Sequence, residues 1–420
     1  MRRMLSLGMA TLAVVAATVG ATSAGPALLF DAKTGQVIES EDPFARWYPA
    51  SLTKLMTAYV AFRAVKVGEM TLQSPVRVSE NAVKEPPSKM GFPVGTVLTL
   101  DDAIKIIMVK SANDIATSIG ESVAGSQEAF AERMNAESKR LGMSGSNWVN
   151  AHGLHNDQQY TTARDLGLLT TALRDEFPQY AAYFSIEGLS FGKQVIPNHN
   201  NLIGRFEGAD GMKTGYTCPA GYNLVASATR EGRTLVAVVI GATSVKSRNE
   251  QAAGMLAKGF SQPTAGGLTL AAMKPLGSDP EKATNMRDTL CTKAGSDALR
   301  KQEREIAAQR KKEGLPEPAS YLVERESPRD LVPVSIGTAT GPATPVIAAL
   351  LARDAVEKAA KAAEEMKKQA AVAAGYDPNI PLPTWRPDMP VPEGANPSEI
   401  GDSAALGDDA AMSGETTVEQ

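Results

Sequence analysis

Ser51 and Lys54 have the spacing at which a serine and a lysine can act together as nucleophile and base. Residues three apart on a helix share one face, so the hydroxyl and the amine would lie side by side. A serine hydroxyl is a weak nucleophile until a neighbouring base accepts its proton. Lysine can be that base only when it is partly neutral, a state favoured by burial, by a helix N-terminus or by a second ammonium group such as that of Lys213.

Two further short sequences could complete a serine-based centre. Ser111–Asn113 has the sequence S-A-N and Lys213–Gly215 has the sequence K-T-G, in that order after Ser51. Each is weak evidence alone, because a second K-T-G occurs at Lys33–Gly35, where it fits an ordinary hairpin turn. Their positions are more informative. The first box opens a helical pattern after a proline, the second lies where two helical patterns meet, and the third precedes a predicted core strand.

The hydrophobic pattern predicts strands at both ends of residues 25–262 and helices between them. Alternation predicts strands at 27–31 and 36–39, and a hairpin of strands at 224–229 and 235–240 that turns at Glu231 and Gly232. Helical spacing of apolar residues predicts helices at 51–66, 100–110, 115–123, 127–141, 162–173 and 247–260. This order indicates an α+β fold with one antiparallel sheet flanked by helices.

The N-terminus has the pattern of a secretory signal peptide. Arg2 and Arg3 precede an uncharged, mostly apolar run at 5–19, and small residues at 21–24 offer a cleavage site before Gly25. We therefore predict a signal peptide at 1–24 and an exported protein of the periplasm or cell envelope. An uncleaved membrane anchor is the main alternative, although the run is short for a membrane span.

The charge of the chain excludes nucleic acid as an expected partner, and its cysteine content leaves a disulfide open. The formal net charge is -4 and the pI is about 5.7, which lacks the basic surface expected of a nucleic-acid-binding protein. The only two cysteines, Cys218 and Cys291, are compatible with a disulfide in an exported protein. Their spacing does not establish that they lie close together.

The character of the chain changes after residue 262. Residues 263–335 are predicted to form a small accessory region, with a charged helix-prone stretch at 298–314. Residues 336–420 are predicted to form a largely disordered, low-complexity extension. It contains an Ala/Lys/Glu-rich helical stretch at 352–375, a Pro-rich linker at 377–397 and an acidic end.

The sequence around the three boxes resembles the D-alanyl-D-alanine carboxypeptidase family, the low-molecular-mass penicillin-binding proteins. Pro49–Thr57 is similar to the nucleophile segment of that family almost throughout, and the resemblance extends over roughly residues 25–260. Three other segments also resemble it, namely Ser111–Asp114, Thr161–Leu166 and Asn223–Ala226. The resemblance implies a β-lactamase/penicillin-binding-protein-like fold, an acyl-enzyme mechanism and covalent inhibition by β-lactams.

The resemblance implies a role for each polar residue of the boxes. Ser51 would be the nucleophile, Lys54 its base, and Ser111 a proton relay to the leaving amine. Asn113 would hold Lys54 and bind a substrate amide. Lys213 and Thr214 would receive the substrate carboxylate, for which Thr217 is a further candidate. Gly215 and Tyr216 would also belong to the substrate-binding site. The backbone N–H groups of Ser51 and Tyr216 would form the oxyanion hole.

Two features depart from the better-known members of the family. Tyr216 stands where they often have histidine, so the role of its side chain is open. The sequence after residue 260 does not match their small β-rich second domain and amphipathic C-terminal anchor, which leaves membrane attachment open.

Three other enzyme classes and one non-catalytic role are alternatives to this interpretation. A zinc peptidase would need His152, His155 and His199 to cluster, but no H-E-x-x-H sequence is present and loop histidines are the simpler interpretation. A β-lactamase would need an E-x-x-L-N-like segment, which the sequence lacks. A D,D-endopeptidase would use the same residues. A non-catalytic wall or divisome scaffold is disfavoured by the intact boxes, although the extension favours an additional protein partner.

The sequence thus predicts a serine carboxypeptidase that removes the terminal D-Ala from peptidoglycan stem pentapeptides through an acyl-enzyme on Ser51. Neither a metal nor an organic cofactor is expected. The expected ligands are stem peptides and, as covalent inhibitors, β-lactams.

Overall fold

The computed structural model describes residues 25–262, 267–275, 282–324, 328 and 330–373. Its contacts divide the chain into two units, Met1–Asp354 and Ala355–Gln420. The predicted signal peptide, the Pro-rich linker and the acidic end lie outside the described residues. Within the described part of the chain, no helix is both long and apolar enough to span a bilayer.

Ten strands and ten helices are described, together with two short 3-10 helices at Ala50–Leu52 and Pro178–Phe184. The strands are β1 (Ala27–Asp31), β2 (Val37–Glu41), β3 (Pro75–Arg77), β4 (Val97–Thr99), β5 (Gly188–Phe191), β6 (Gln194–Pro197), β7 (Ala209–Thr217), β8 (Gly221–Arg230), β9 (Arg233–Ala242) and β10 (Leu331–Pro333). The helices are α1 (Thr53–Lys66), α2 (Glu80–Lys84), α3 (Leu100–Val109), α4 (Asn113–Ala124), α5 (Gln127–Leu141), α6 (Ala163–Glu176), α7 (Val245–Phe260), α8 (Arg287–Cys291), α9 (Lys293–Lys312) and α10 (Pro345–Ala373).

The central sheet has five antiparallel strands in the order β2-β1-β9-β8-β7. The first strand therefore pairs with the last strand of the sheet, and both ends of the predicted region meet as expected. Glu231 and Gly232 both have positive φ, 50° and 78°, as the tight turn between β8 and β9 requires. The predicted α+β fold with an antiparallel sheet flanked by helices is confirmed.

Helix α1 packs against α3, α4, α5 and α6, and of these helices α6 contacts β1 and β9 on one face of the sheet. The α1 side chains Tyr59 and Phe62 are fully buried, and Phe62 stacks on Tyr180 with ring centroids 4.3 Å apart. Burial of each such side chain stabilises the fold by about 1.5–3 kcal/mol. On the other face, α7 packs on β8 and β9, with Leu256 buried among sheet residues. The sheet is thus covered by α6 on one face and by α7 on the other.

Polar residues fix where the surrounding helices begin. The side chains of Thr99, Ser126, Thr162 and Ser244 each accept a hydrogen bond from a backbone N–H in the first turn of α3, α5, α6 and α7. Such caps satisfy N–H groups that have no partner inside the helix, and each stabilises by about 1 kcal/mol. The beginnings of these four helices are therefore well defined, whereas α1 and α4, which carry Lys54 and Asn113, begin without a side-chain cap.

The structure adds elements that the pattern did not reveal. The K-T-G box precedes the core strand β8, as predicted, and itself lies in β7, an edge strand of the central sheet that the pattern did not predict. The hairpin β5–β6 and the short pair β3–β4 were not predicted, and β10 adds to β5 in parallel. These strands are only three or four residues long, too short for alternation to be recognised.

Residues after 262 also contribute structure. The charged helix expected at 298–314 begins earlier, at Lys293, and the Ala-rich helix begins at Pro345 rather than at 352. Residues 330–354 belong to the first unit together with the central sheet. The predicted boundaries at 262 and 335 remain predictions.

Candidate active site

Ser51 lies in the 3-10 helix that leads directly into α1. The residue before it, Ala50, has a φ of 47°, a left-handed conformation that costs a non-glycine residue energy. Gly153 packs against this turn so closely that a Cβ there would lie 1.9 Å from the Ala50 carbonyl oxygen. Only glycine allows the 150–154 loop to approach the Ser51 turn in this way.

Lys54 is fully buried one turn after Ser51, and its amine contacts three oxygen atoms. Lys54 Nζ lies 3.1 Å from Ser51 Oγ, 2.8 Å from Asn113 Oδ1 and 2.6 Å from the main-chain oxygen of His152. Burial and the charge of Lys213 hold the pKa of Lys54 well below its ordinary value, against the opposing influence of Glu85 and Asp114. The predicted serine–lysine contact is therefore present.

The three contacts of Lys54 match the three N–H groups of the ammonium, and the neutral amine can keep two of them. The His152 carbonyl can only accept, and Asn113 Oδ1 is oriented as an acceptor because Asn113 Nδ2 donates to the Pro86 carbonyl at 2.9 Å. A neutral amine has two N–H groups for these acceptors and one lone pair, which then faces the Ser51 hydroxyl. This arrangement allows Lys54 to accept the proton of Ser51.

Ser111 lies between α3 and α4 and contacts the other buried lysine. Lys213 Nζ donates to Ser111 Oγ at 3.0 Å and to the Thr214 carbonyl at 2.8 Å. Ser111 has a φ of 60°, so a left-handed turn directs it away from both helices. Burial, followed by the charge of Arg248, lowers the pKa of Lys213 to about 7. Ser111 is thus hydrogen-bonded to a group that can exchange a proton near neutral pH.

Strand β7 brings the third box against the Ser51 turn. A Cβ on Gly215 would lie 2.9 Å from the Ser51 backbone nitrogen, so the strand approaches as closely as backbone atoms permit. Thr214 is buried, whereas Tyr216 is 44% exposed and stacks on Tyr222 of β8 at 4.3 Å. Thr217 Oγ1 accepts a hydrogen bond from the backbone of Ala220 in the β7–β8 turn.

A disulfide joins Cys218, in the β7–β8 turn, to Cys291 at the end of α8. The hydroxyl of Tyr216 lies 3.4 Å from Cys291 Sγ. Met286, in the segment before α8, donates from its backbone to the Pro219 carbonyl at 2.9 Å. Residues beyond 262 are therefore attached to the turn that follows the K-T-G box.

Sequence reasoning missed two side chains of this site. Asn223 Nδ2 donates to the carbonyls of Tyr48 and Pro49, and Asn223 Oδ1 accepts from Gly241, so β8 fixes the chain that leads to Ser51. Arg248, on α7, is 4% exposed and donates to Asn249 Oδ1. Among the described residues no carboxylate pairs with Arg248. Only the family-like segment at Asn223–Ala226 signalled Asn223, and nothing in the sequence distinguished Arg248 from other surface-type cations.

The histidines are loop residues, as the simpler interpretation held. His152 is buried and its Nε2 lies 3.3 Å from Glu85, whereas His155 packs edge-on against Tyr48. Across the described ranges, no group of three or more His, Cys, Asp or Glu side chains is arranged to hold a metal ion.

Comparison with known proteins places these residues in a family. The sequence model described as D-alanyl-D-alanine carboxypeptidase matches residues 13–244. The D-alanyl-D-alanine carboxypeptidase DacC of Escherichia coli (strain K12) is 36% identical over 240 residues, covering 56% of this chain and 60% of that protein. DacF of Bacillus subtilis (strain 168) is 32% identical over 246 residues, covering 58% and 63%. The chain therefore matches less than two thirds of the length of these relatives.

Solved structures show the same fold. Penicillin binding protein 5 from Haemophilus influenzae superposes with a TM-score of 0.54 and 33% identity, covering 57% of this chain and 71% of that one. The D-alanyl-D-alanine carboxypeptidase DacD from Francisella tularensis gives a TM-score of 0.55 and 27% identity, covering 62% and 74%. Since the family match spans more than half of the sequence and includes every box described above, this chain belongs to the D-alanyl-D-alanine carboxypeptidase family.

Proposed function

We propose that this protein is a serine carboxypeptidase that removes the terminal D-Ala from peptidoglycan stem pentapeptides. The observation that carries the proposal is the hydrogen-bond set of Lys54, which leaves the lone pair of the neutral amine directed at Ser51 Oγ. Membership of the family and relatives named D-alanyl-D-alanine carboxypeptidase support the same activity.

In the first step Ser51 Oγ attacks the carbonyl carbon of the penultimate D-Ala, and its proton passes to Lys54 Nζ. The backbone N–H groups of Ser51 and Tyr216 stabilise the oxyanion that forms. Collapse of this intermediate breaks the C–N bond to the terminal D-Ala. The proton that Lys54 accepted passes through Ser111 Oγ, which Lys213 Nζ contacts, to the leaving amine, and Lys54 is neutral again. The product of this step is an ester on Ser51.

In the second step water attacks the carbonyl carbon of the ester while Lys54 accepts a proton from it. The bond between the carbon and Ser51 Oγ breaks, and the proton returns to Ser51. The net reaction is hydrolysis of one amide bond, and the proposal needs no metal or organic cofactor.

The substrate would bind to site groups that still have a hydrogen-bond donor or a positive charge available. Asn113 Nδ2 uses one N–H for the Pro86 carbonyl and has a second for a substrate carbonyl. The terminal carboxylate would bind the Thr214 hydroxyl beside the charges of Lys213 and Arg248. A buried arginine with no carboxylate partner among the described residues favours an anionic ligand at this position.

The same geometry makes Ser51 a target for β-lactams. A β-lactam presents a strained amide and a carboxylate to the groups that bind the peptide. Penicillin-Binding Protein D2 from Listeria monocytogenes, whose structure has a TM-score of 0.50 and 27% identity, was crystallised in an ampicillin-bound form.

The proposal includes export to the periplasm or cell envelope. The apolar N-terminal segment, which lies outside the described residues, and the bonded pair Cys218–Cys291 support it, because disulfides persist in oxidising compartments. The C-terminal extension is proposed to bind a protein partner.

Mass spectrometry of muropeptides incubated with the mature protein tests the activity, with Ser51→Ala as control. Loss of one alanine from pentapeptides, dependent on Ser51, is the expected result. Scission of cross-linked dimers without trimming would replace the assignment with an endopeptidase. No change in either substrate would contradict a catalytic role.

A further inference from the structure

A carboxylate–imidazole pair, with the imidazole buried and the carboxylate partly buried, lies next to Lys54 and has no part in the reaction steps above. His152 is 7% exposed, and its Nε2 lies 3.3 Å from Glu85 Oε1. Thr117 Oγ1 donates to the same carboxylate oxygen at 2.9 Å. Burial of the His152 ring and the Thr117 hydroxyl would be costly without a partner, and Glu85 is the partner of both.

The hydrogen bonds define which partner carries the charge. The backbone N–H of Leu154 donates to His152 Nδ1 at 3.0 Å, so Nδ1 has the lone pair and Nε2 carries the proton. Burial lowers the pKa of His152, which favours this neutral ring. Burial opposes ionisation of Glu85, but the hydrogen bonds from His152 and Thr117 prevail and its pKa is lowered. Glu85 is therefore the anion and His152 the neutral donor.

The pair is joined to Lys54 through the main chain of His152. The carbonyl of His152 is the acceptor that lies 2.6 Å from Lys54 Nζ, and the ring of the same residue is anchored to Glu85. Asn150 Oδ1 accepts from the backbone N–H groups of His152 and Gly153 and fixes the loop from the other side. A change at Glu85 would therefore be transmitted to the position of that carbonyl.

The segment that begins with Glu85 also orients the other acceptor of Lys54. The Pro86 carbonyl accepts from Asn113 Nδ2 at 2.9 Å, and the Ser88 carbonyl accepts from the Asn113 backbone N–H at 2.7 Å. Residues 85–88 thus determine the orientation of both groups that receive an N–H from Lys54.

We propose that Glu85 and His152 form a positioning pair for the base of the reaction, which fixes one acceptor of Lys54 and places a negative charge beside its amine. This inference rests on the proposed function, because it assigns a role relative to Lys54 as the base. Neither residue contacts the substrate in this proposal; both act through Lys54.

The charge of Glu85 acts among several others around Lys54. Four other titratable groups interact electrostatically with Lys54. They are Asp114 on α4, Lys213 on β7, His152 in the 150–154 loop and His199 after β6. Glu85 and Asp114 favour the ammonium form, whereas Lys213 and burial disfavour it. Loss of the Glu85 charge should therefore make Lys54 neutral at lower pH.

The test is the rate of Ser51 acylation by a fluorescent penicillin, measured against pH for the mature full-length chain and its variants. Glu85→Gln keeps the shape of the side chain and removes the charge. We expect the acid limb of the pH profile of this variant to move to lower pH by about half a unit or more. Its maximal acylation rate should fall severalfold, because a neutral amide cannot pair with the His152 ring as the carboxylate does. Glu85→Asp should restore most of the original profile.

Glu121→Gln is the matched control, since it removes the same charge from a carboxylate hydrogen-bonded to Asn81. Its profile should superpose on that of the unmodified protein. A Glu85→Gln profile with a reduced maximum but an unmoved acid limb would overturn the electrostatic role, and a profile identical to the unmodified one would overturn the whole inference. Absence of acylation in the unmodified protein would instead overturn the proposed function.

A second variant covers the case in which Glu85→Gln does not fold. Thr117→Val removes only the hydroxyl that donates to Glu85 and keeps the size of the side chain. A severalfold lower maximal rate at an unchanged melting temperature is expected, and an unchanged rate would contradict the positioning role.

Discussion

A Cβ placed on Gly215 would lie 2.9 Å from the backbone nitrogen of Ser51. The other atoms nearest to it are also backbone atoms, the Pro49 oxygen at 3.0 Å and the Leu52 nitrogen at 3.1 Å. Backbone atoms cannot rotate away as a side chain can, so any residue other than glycine must separate β7 from the Ser51 turn. The distance between the two segments sets the geometry of the proposed oxyanion hole.

Gly215→Ala should therefore reduce acylation of Ser51 by about 100-fold, the range observed when one oxyanion donor is lost. The measurement is the second-order rate with a fluorescent penicillin, together with the melting temperature. Gly254→Ala is the control, because its Cβ would meet only the movable ring of Tyr321, at 3.1 Å. Equal rates for Gly215→Ala and the unmodified protein would contradict the proposed site.

The pKa of Lys213, lowered by burial to about 7, predicts an alkaline limb in the pH profile of kcat/KM. The free enzyme loses the ammonium charge as pH rises through 7, so a substrate carboxylate binds more weakly. In the complex the carboxylate stabilises the ammonium, and the limb of kcat should lie at higher pH. Lys213→Arg, which stays charged, should lack the limb near 7 even if its rate is lower. If the Lys213→Arg variant still shows the alkaline limb near pH 7, Lys213 is not the group that causes it.

The disulfide should stabilise the protein and also support activity. Cys218 and Cys291 are 73 residues apart, which corresponds to about 4 kcal/mol in the chain-entropy treatment. Reduction should lower the melting temperature by roughly 10 °C, and it should slow acylation because the bond anchors the turn after β7. Scanning calorimetry with and without reductant measures the first effect. The double Ser variant should be insensitive to reductant; continued sensitivity would point to another cause.

The proposed catalytic unit should end near residue 360 rather than 335. Arg77 is 6% exposed and makes a two-point ion pair with Asp354, at 2.5 and 2.8 Å. Removal of Asp354 leaves that buried charge without its partner. A chain that ends at Ala360 should acylate normally, whereas one that ends at Val334 should melt about 5 °C lower or more. Equal melting temperatures would support the boundary predicted at 335.

The contact between Ser51 and Lys54 could be predicted because it is local. Two residues three apart in one continuous helical stretch determine their own relative position, whatever the rest of the chain does. The same is true of the Glu231–Gly232 turn, which depends on residues that tolerate positive φ. These predictions needed no knowledge of distant segments.

The remaining contacts of Lys54 could not be predicted, because they involve groups without a sequence signature. The His152 acceptor is a main-chain carbonyl, which every residue has, and its placement depends on a loop packed against Ala50. Arg248 is one of 43 lysines and arginines, and only its burial beside β8 separates it from the others. Long-range packing, not residue type, decides both roles.

The position of β1 between β2 and β9 has a consequence for synthesis of the protein. The ribosome completes β1, β2 and the Ser51 turn early, but a two-stranded hairpin is marginally stable alone. The strand that closes the sheet, and Lys213 before it, emerge only after the whole helical block has been made. A nascent or prematurely terminated chain therefore contains Ser51 but can neither hydrolyse a peptide nor be acylated by a β-lactam. Its open strand edges instead make it a substrate for chaperones and proteases.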